Sequence, residues 1–252
     1  MSANESENVW MRIWSQAKLD ILPGWDELSE LIYYILSSFT RNVRGMLVLE
    51  EGSGTGRISL RLAKEGEVIL LDTSPDALEY SKGRAREMGA NTYFVRGSIF
   101  NLPLRDSTLN LIWNSGVLEH YRFDRQQQAI DEALRVLQEK GRLVVIVPNK
   151  KAIFYNFFRV LNIKLGRWKF GYEKPLSSEE LYTFSPKPNS HQSVGVLYQF
   201  RFITLPILGF LLNKMLNLLN QFIPHLRKLD KKYARTGHLV AALWIKTAGV
   251  SV

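Results

Sequence analysis

The run Leu47-Val48-Leu49-Glu50-Glu51-Gly52-Ser53-Gly54-Thr55-Gly56 constrains the fold of this chain more than any other segment. An apolar stretch of strand character leads straight into three glycines spaced two apart, and helical sequence follows. Glycine takes backbone angles that L side chains resist, and its missing Cβ lets a ligand approach the main chain. A strand turning this tightly into a helix is the first half of a crossover unit, which builds parallel sheets.

The same texture repeats from Gly45 to Asn149. Strands are predicted at residues 46–50, 68–72, 92–96, 109–114 and 142–147, with helices at 57–64, 76–88 and 126–137. Ser74 stands at an N-cap with Pro75 at the first helical position. Ile130, Ala133, Leu134 and Leu137 share one helical face. Upstream, residues 9–40 read as two amphipathic helices parted near Pro23-Gly24. Their place, over the ligand edge of the sheet or on its flank, is open. Downstream, Ser177 and Glu180 have capping-box spacing, and two further strands are predicted at 194–203 and 238–246.

Asp72 follows Gly52 at the end of the second predicted strand, where a carboxylate can accept hydrogen bonds from both hydroxyls of a ribose. Glycine loop and carboxylate together specify a nucleoside-containing ligand at the carboxyl ends of the strands. A dinucleotide fingerprint carries its third glycine three residues after the second, but that position is Arg57 and the glycine is Gly56. Glu50 and Glu51 bring negative charge that repels a pyrophosphate and suits an ammonium or sulfonium group. The spacing therefore disfavours a nicotinamide-dependent oxidoreductase. A non-catalytic nucleoside-binding or scaffold protein stays open.

Composition excludes other classes. The chain has no cysteine, which removes disulfide frameworks, thiolate metal sites and cysteine nucleophiles and accords with a reducing cytoplasm. The net charge of +9 is unevenly placed: residues 1–148 hold 17 Lys and Arg against 20 Asp and Glu, residues 149–252 hold 16 against 4. An anionic partner should meet the last two-fifths of the chain. Met1 to Asn8 have no basic start or apolar run, so no secretory signal is expected.

With these residues in hand, the stretch from Met46 to Asn149 resembles the class I S-adenosylmethionine-dependent methyltransferases, especially the branch of ubiquinone and menaquinone biosynthesis. The motifs in order are Val48 to Gly56, Asp72, Gly97-Ser98 before Leu102-Pro103, Asn114 to His120, and Leu134 to Pro148. The resemblance implies an α/β, Rossmann-like, seven-stranded, mostly parallel sheet with helices on both faces and an antiparallel last strand. On this reading residues 1–44 are a helical lid or flank, 45–149 the cofactor core, and 150–252 a substrate-side region. The three form one domain, with an amphipathic helical insertion at about 205–232.

The same resemblance assigns roles by position. Glu50 lies near the methionine moiety of the cofactor, and Gly52, Ser53, Gly54 and Gly56 form its loop. Asp72, with Thr73 beside it, binds the ribose. Ser98 and Ile99 stand where relatives have an acidic residue at the adenine amino group and an apolar one on the ring. Asn114 and Ser115 end the fourth strand near the sulfonium. Ser98 and Glu51 depart from the family pattern, and serine at 98 weakens adenine recognition.

Methyl transfer from a sulfonium is an in-line displacement that needs alignment above all. A hydroxyl or activated carbon acceptor also needs a base, and His120 is the candidate, expected to titrate near neutrality. Alternatively, Leu118-Glu119-His120 only starts a helix. The Glu-x-x-Glu-His metal pattern of some relatives is broken by Gly116, so no metal is expected. Aromatics after the fifth strand, Tyr155 and Trp168 among them, suggest an acceptor pocket for a small apolar or lipid-linked molecule, methylated on oxygen or carbon rather than nitrogen.

Residues 205–226 are strongly apolar, interrupted by Asn213, Lys214, Asn217, Asn220 and Gln221, and flanked by Arg201, Arg227, Lys228, Lys231 and Lys232. An amphipathic helix there either docks on an anionic membrane, making the protein peripheral at the inner face, or caps the pocket from within. No RNA-binding appendage is present, and nucleic acid is not an expected partner.

Overall fold

A computed structural model describes residues 3–16, 25–40, 42–199, 214–215, 230–232 and 234–248. Its centre is a seven-stranded sheet: β1 (Leu47–Glu51), β2 (Glu67–Asp72), β3 (Thr92–Arg96), β4 (Leu109–Ser115), β5 (Leu137–Pro148), β6 (Ser190–Val194) and β7 (Leu239–Ile245). Their spatial order is β3-β2-β1-β4-β5-β7-β6. The β1–β2, β1–β4, β2–β3 and β4–β5 pairs are parallel, and β7 runs antiparallel to both β5 and β6. This is the doubly wound sheet with a reversed strand that the family resemblance implies. After β3 the chain returns to the other side of β1 to place β4, and the carboxyl ends diverge between β1 and β4 to leave a crevice.

Period-two alternation divides the core between the two faces. Leu49, Leu71, Ile112, Val145 and Trp244 pack on one side with Ala129, Ile130, Ala133 and Leu134 of α5 (Phe123–Val136). Val48, Leu70, Leu111, Val144 and Leu243 pack on the other. There they meet Leu31, Ile32, Ile35 and Leu36 of α2 (Glu27–Thr40) and Ile58, Leu60 and Leu62 of α3 (Arg57–Leu62). Each leucine so buried is worth about 1.5–3 kcal/mol. Between β2 and β3, α4 (Pro75–Met88) begins at the predicted cap, where Ala77 N–H donates to Ser74 Oγ at 3.3 Å.

The two N-terminal helices divide the options their sequence left open. α2 lies on the flank of the sheet. α1 (Ala3–Gln16) instead lies over the carboxyl edge: Ser6 Oγ donates to His120 O at 2.8 Å, and Trp10 and Trp14 turn toward the crevice. Beyond β5 come α6 (Ile153–Lys164) and α7 (Ser178–Leu181), the latter closed by the Ser177–Glu180 capping box.

The strand expected at 194–203 is instead Ser190–Val194. Gly195 ends it at φ +86°. The next free donors turn to Asp230: Gly195 N–H reaches its backbone oxygen at 2.8 Å, and Leu197 N–H its Oδ1 at 2.6 Å. The true strand is mostly polar because it is an edge, paired only with β7 and half-buried along most of its length. Smaller shifts occur at α5, which starts at Phe123 where that ring stacks on Phe184, and at β5, which starts at Leu137. The predicted insertion at 205–226 lies outside the described residues apart from 214–215. Lys231, one of its flanking cations, sits 3.7 Å from Glu30 of α2 and over the Tyr34 ring.

Candidate active site

The crevice holds a cavity of about 590 Å³ that runs from the glycine loop to an aromatic chamber. At the loop end Gly52, Gly54 and Gly56 all have positive φ, between 50° and 63°. A Cβ on Gly52 would lie 2.7 Å from Val117 Cγ2, and one on Gly54 would lie 2.8 Å from the Trp14 ring. The loop closes on Asp72: Gly54 N–H donates to Oδ2 and Ser74 N–H to Oδ1, each at 2.9 Å. Burial raises the Asp72 carboxyl and these backbone donors oppose the shift. Thr73 N–H is a third backbone donor to the carboxylate, whose roughly four acceptor positions leave one for a ligand.

Glu50, Gly52, Ser53, Gly54, Asp72, Thr73, Ile99, Ser115, His120, Tyr155 and Trp168 all line the cavity. Three expected cofactor residues lie off its wall. Gly56 stands behind the loop, where a Cβ would meet Leu70 Cδ1 at 2.5 Å, so it serves helix packing. Asn114 turns its amide away to donate to Glu51 Oε2 at 2.8 Å, which also explains the unusual Glu51: a carboxyl and a carboxamide on neighbouring strands face each other in the core. Burial pushes Glu51 up to about 8. Ser98 donates through Oγ to Glu7 of α1 at 3.3 Å.

His120 ends a short 3-10 turn, Leu118–His120, just past β4. Its Nδ1 lies 2.7 Å from Tyr172 O, and since a carbonyl only accepts, Nδ1 carries the hydrogen and Nε2 keeps a lone pair. Burial lowers the imidazole to about 4 despite that bond. The histidine therefore does not titrate near neutrality, as its type suggested; it is neutral throughout that range because α1 and Trp10, 5.0 Å away edge-on, exclude water from it.

Glu119, Glu173 and Trp10, which sequence reasoning did not select, line the chamber with the expected aromatics Tyr155, Trp168 and Phe170. Glu119, 1% exposed, has an oxygen, Oε2, with no hydrogen-bond partner. Burial and then the neighbouring charge of Glu173 push it well above the usual carboxylate range. Glu173 in turn accepts a short hydrogen bond from Tyr155 Oη and lies 3.9 Å from Arg159 Nε. Trp10 and Phe170 stack at 5.8 Å, and Trp168 meets Phe170 edge-on at 5.1 Å. The spacing of Glu7, Trp10 and Trp14 put them on one helix face, which was the available signal. Among the described residues no group of three or more His, Asp or Glu is placed to hold a metal ion.

Residues 42–170 match the methyltransferase domain family. An uncharacterized protein of Methanocaldococcus jannaschii is 30% identical over 215 residues, covering 83% of this chain and 81% of that one. The chain belongs to the methyltransferase family. Its class is the S-adenosylmethionine-dependent class I, which sets aside the nicotinamide and non-catalytic alternatives. A ubiquinone/menaquinone biosynthesis C-methyltransferase of Blochmanniella floridana is 28% identical over 45% of this chain and 48% of its own length, so the chain spans about half of that relative. In fold the chain is similar to the geranyl diphosphate C-methyltransferase of Streptomyces coelicolor A3(2), solved with Mg2+, geranyl diphosphate and S-adenosyl-L-homocysteine. The TM-score is 0.64 at 13% identity, over 98% of this chain and 100% of that one.

The residues present fit S-adenosylmethionine. Glu50 has a buried oxygen, Oε2, without a partner, and burial pushes the carboxyl up to about 8. A ligand ammonium beside it would relieve that cost. Ser53 Oγ is likewise buried without a partner. Asp72 faces the same space, and Gly52 and Gly54 line it with backbone.

Proposed function

We propose that this methyltransferase acts on oxygen or carbon of a small acceptor with an apolar body, lipid-linked acceptors included, seated among Trp10, Tyr155, Trp168 and Phe170. The observation that carries this reading is that one cavity is lined by the glycine loop and Asp72 and also by the aromatic walls and His120, with Trp10 edge-on to the His120 ring at 5.0 Å. When bound, S-adenosylmethionine supplies an electrophilic methyl whose bond to sulfur breaks toward sulfur. The glycine loop, Glu50 and Asp72 hold that group in place, and the aromatic walls exclude water and set the acceptor on line with it. As the acceptor atom takes the methyl carbon it loses a proton, and His120 Nε2 receives it. Tyr172 O keeps the other ring nitrogen protonated and the ring oriented.

A proton acceptor of this kind is needed by a hydroxyl or an activated carbon and not by a neutral amine, which favours oxygen or carbon over nitrogen. The excess of positive charge beyond residue 149 supports a protein that meets its acceptor at an anionic membrane face.

The test is methyl transfer from labelled cofactor to a panel of phenols, enolisable ring compounds, prenylated versions of both, and amines of matched size. Transfer to members of the first three groups supports the reading, and transfer to amines alone overturns it. With a working acceptor, His120→Asn should lower kcat about 100-fold or more while S-adenosylhomocysteine affinity stays within about threefold. Because burial holds His120 near 4, the wild-type rate should show no inflection from this group between about pH 5 and 8 and should fall only as pH drops through about 4.

A further inference from the structure

The nucleoside end of the cavity carries a polar group that the glycine and Asp72 motifs do not account for. α1 crosses the carboxyl edge of the sheet with Glu7, Trp10 and Trp14 all lining the cavity. There Ser98 Oγ donates to Glu7 Oε1 at 3.3 Å, across 91 residues of sequence. Immediately before it, Gly97 N–H donates to Asp72 O at 3.1 Å, which ties the Ser98 segment to the strand end that carries the ribose carboxylate. Tyr121 marks the shared compartment. Burial raises its hydroxyl, and the charges of Glu7 and then Asp72 push the same way, so one ring senses both carboxylates. The nearby walls are apolar or bare backbone: Leu71, Gly97 and Ile99.

We propose that Glu7 is a specificity residue for the cofactor's base, accepting the hydrogen bond of the exocyclic amino group of adenine while Ser98 holds its carboxylate in place. The assignment rests on chemical complementarity and on the Asp72 end being the nucleoside end. An ionised carboxylate only accepts. Adenine offers it an amino donor on the edge away from the sugar. A 6-oxo purine would instead turn a carbonyl oxygen toward it, two acceptors with no hydrogen between them, and leaving such groups unpaired is costly. Ser98 is suited to the task because its hydroxyl donates to one carboxylate oxygen and so fixes the side chain without consuming the other. The N-terminal helix thereby becomes part of the cofactor site as well as its cover.

Calorimetric titration with S-adenosylhomocysteine and its deaminated analogue, S-inosylhomocysteine, tests this without any methyl acceptor. Wild type should prefer the adenosyl compound by about 10- to 100-fold. Glu7→Ala should lose most of that preference by weakening the adenosyl compound alone. Glu7→Gln, whose amide can donate, should bind the inosyl compound more tightly than wild type does. Ser6→Ala removes the bond from α1 to His120 O without touching Glu7, and should weaken both ligands by the same factor. Equal loss of both ligands in Glu7→Ala would reduce Glu7 to helix docking and overturn the proposal. An unchanged preference would do the same. Failure of wild type to bind either compound would bring down the assignment of the nucleoside end itself, a result distinguishable from the other two.

Discussion

The two halves of the cavity are assembled from different ranges of the chain. On the cofactor side, the bond that closes the glycine loop, Gly54 N–H to Asp72, spans 18 residues and joins two neighbouring strands of the sheet. On the acceptor side, His120 bonds to Tyr172 across 52 residues, and Ser6 of α1 bonds to His120 across 114. The first half is written on rigid parallel strands that share backbone hydrogen bonds. The second is gathered from a helix, a 3-10 turn and the segment after α6, held by side-chain contacts. A family can therefore keep its cofactor chemistry while its acceptor changes, because the two depend on different parts of the fold.

The largest expected effect separates the halves most sharply. Asp72→Ala removes the acceptor for Gly54 and Ser74 N–H together with the carboxylate offered to the ligand. S-adenosylhomocysteine binding should weaken by more than about 100-fold, as loss of more than one charge-assisted hydrogen bond requires. His120→Asn, at the junction, should leave that affinity nearly intact. Thermal melts of both variants would exclude unfolding as the cause, and equal losses in the titration would erase the division between the halves.

That division also governs what could be read from sequence. The loop, Asp72, the capped start of α4 and the positions of the first five strands follow from local spacing and from period-two or helical alternation, each a property of a few consecutive residues. The family resemblance added the reversed last strand, which spacing could not supply. Strand β6 escaped because an edge strand needs no apolar alternation, and Ser190-His191-Gln192-Ser193 shows none. Glu7, Glu119 and Glu173 escaped for another reason. A glutamate on an amphipathic helix or beside a histidine looks like any solvated charge until the fold brings it against Ser98 or a second buried carboxyl. The lowered titration of His120 was not legible, because burial is a property of the assembled site.

Glu51 gives an intermediate test, on the underside of the cofactor half. Its folded value of about 8 stands above the 4.5 of a free carboxyl. A raised value means that the stability tied to this group is full below about pH 4.5 and is lost as pH rises through about 8. Glu51→Gln keeps an acceptor for Asn114 Nδ2 and removes the titration. The variant should melt close to wild type at pH 4.5 and above it at pH 8, by roughly 2–4 °C for each kcal/mol relieved. The same offset at both pH values would show that ionisation of Glu51 costs the fold nothing.

The smallest effect probes the acceptor half alone. Trp168 donates through Nε1 to Gly171 O at 3.1 Å and meets Phe170 edge-on; Phe170 stacks on Trp10, and Trp10 meets His120. Trp168→Phe keeps an aromatic ring but loses that hydrogen bond, worth about 1 kcal/mol, and part of the wall. If the chamber serves only the acceptor, KM for that molecule should rise about threefold to tenfold, with kcat and S-adenosylhomocysteine affinity within about twofold of wild type. The connection through Trp10 is where this expectation is exposed, because α1 also covers the glycine loop through Trp14. A loss of cofactor affinity matching the rise in KM would mean that the chain of rings transmits displacement to α1, and that both halves share one movable cover.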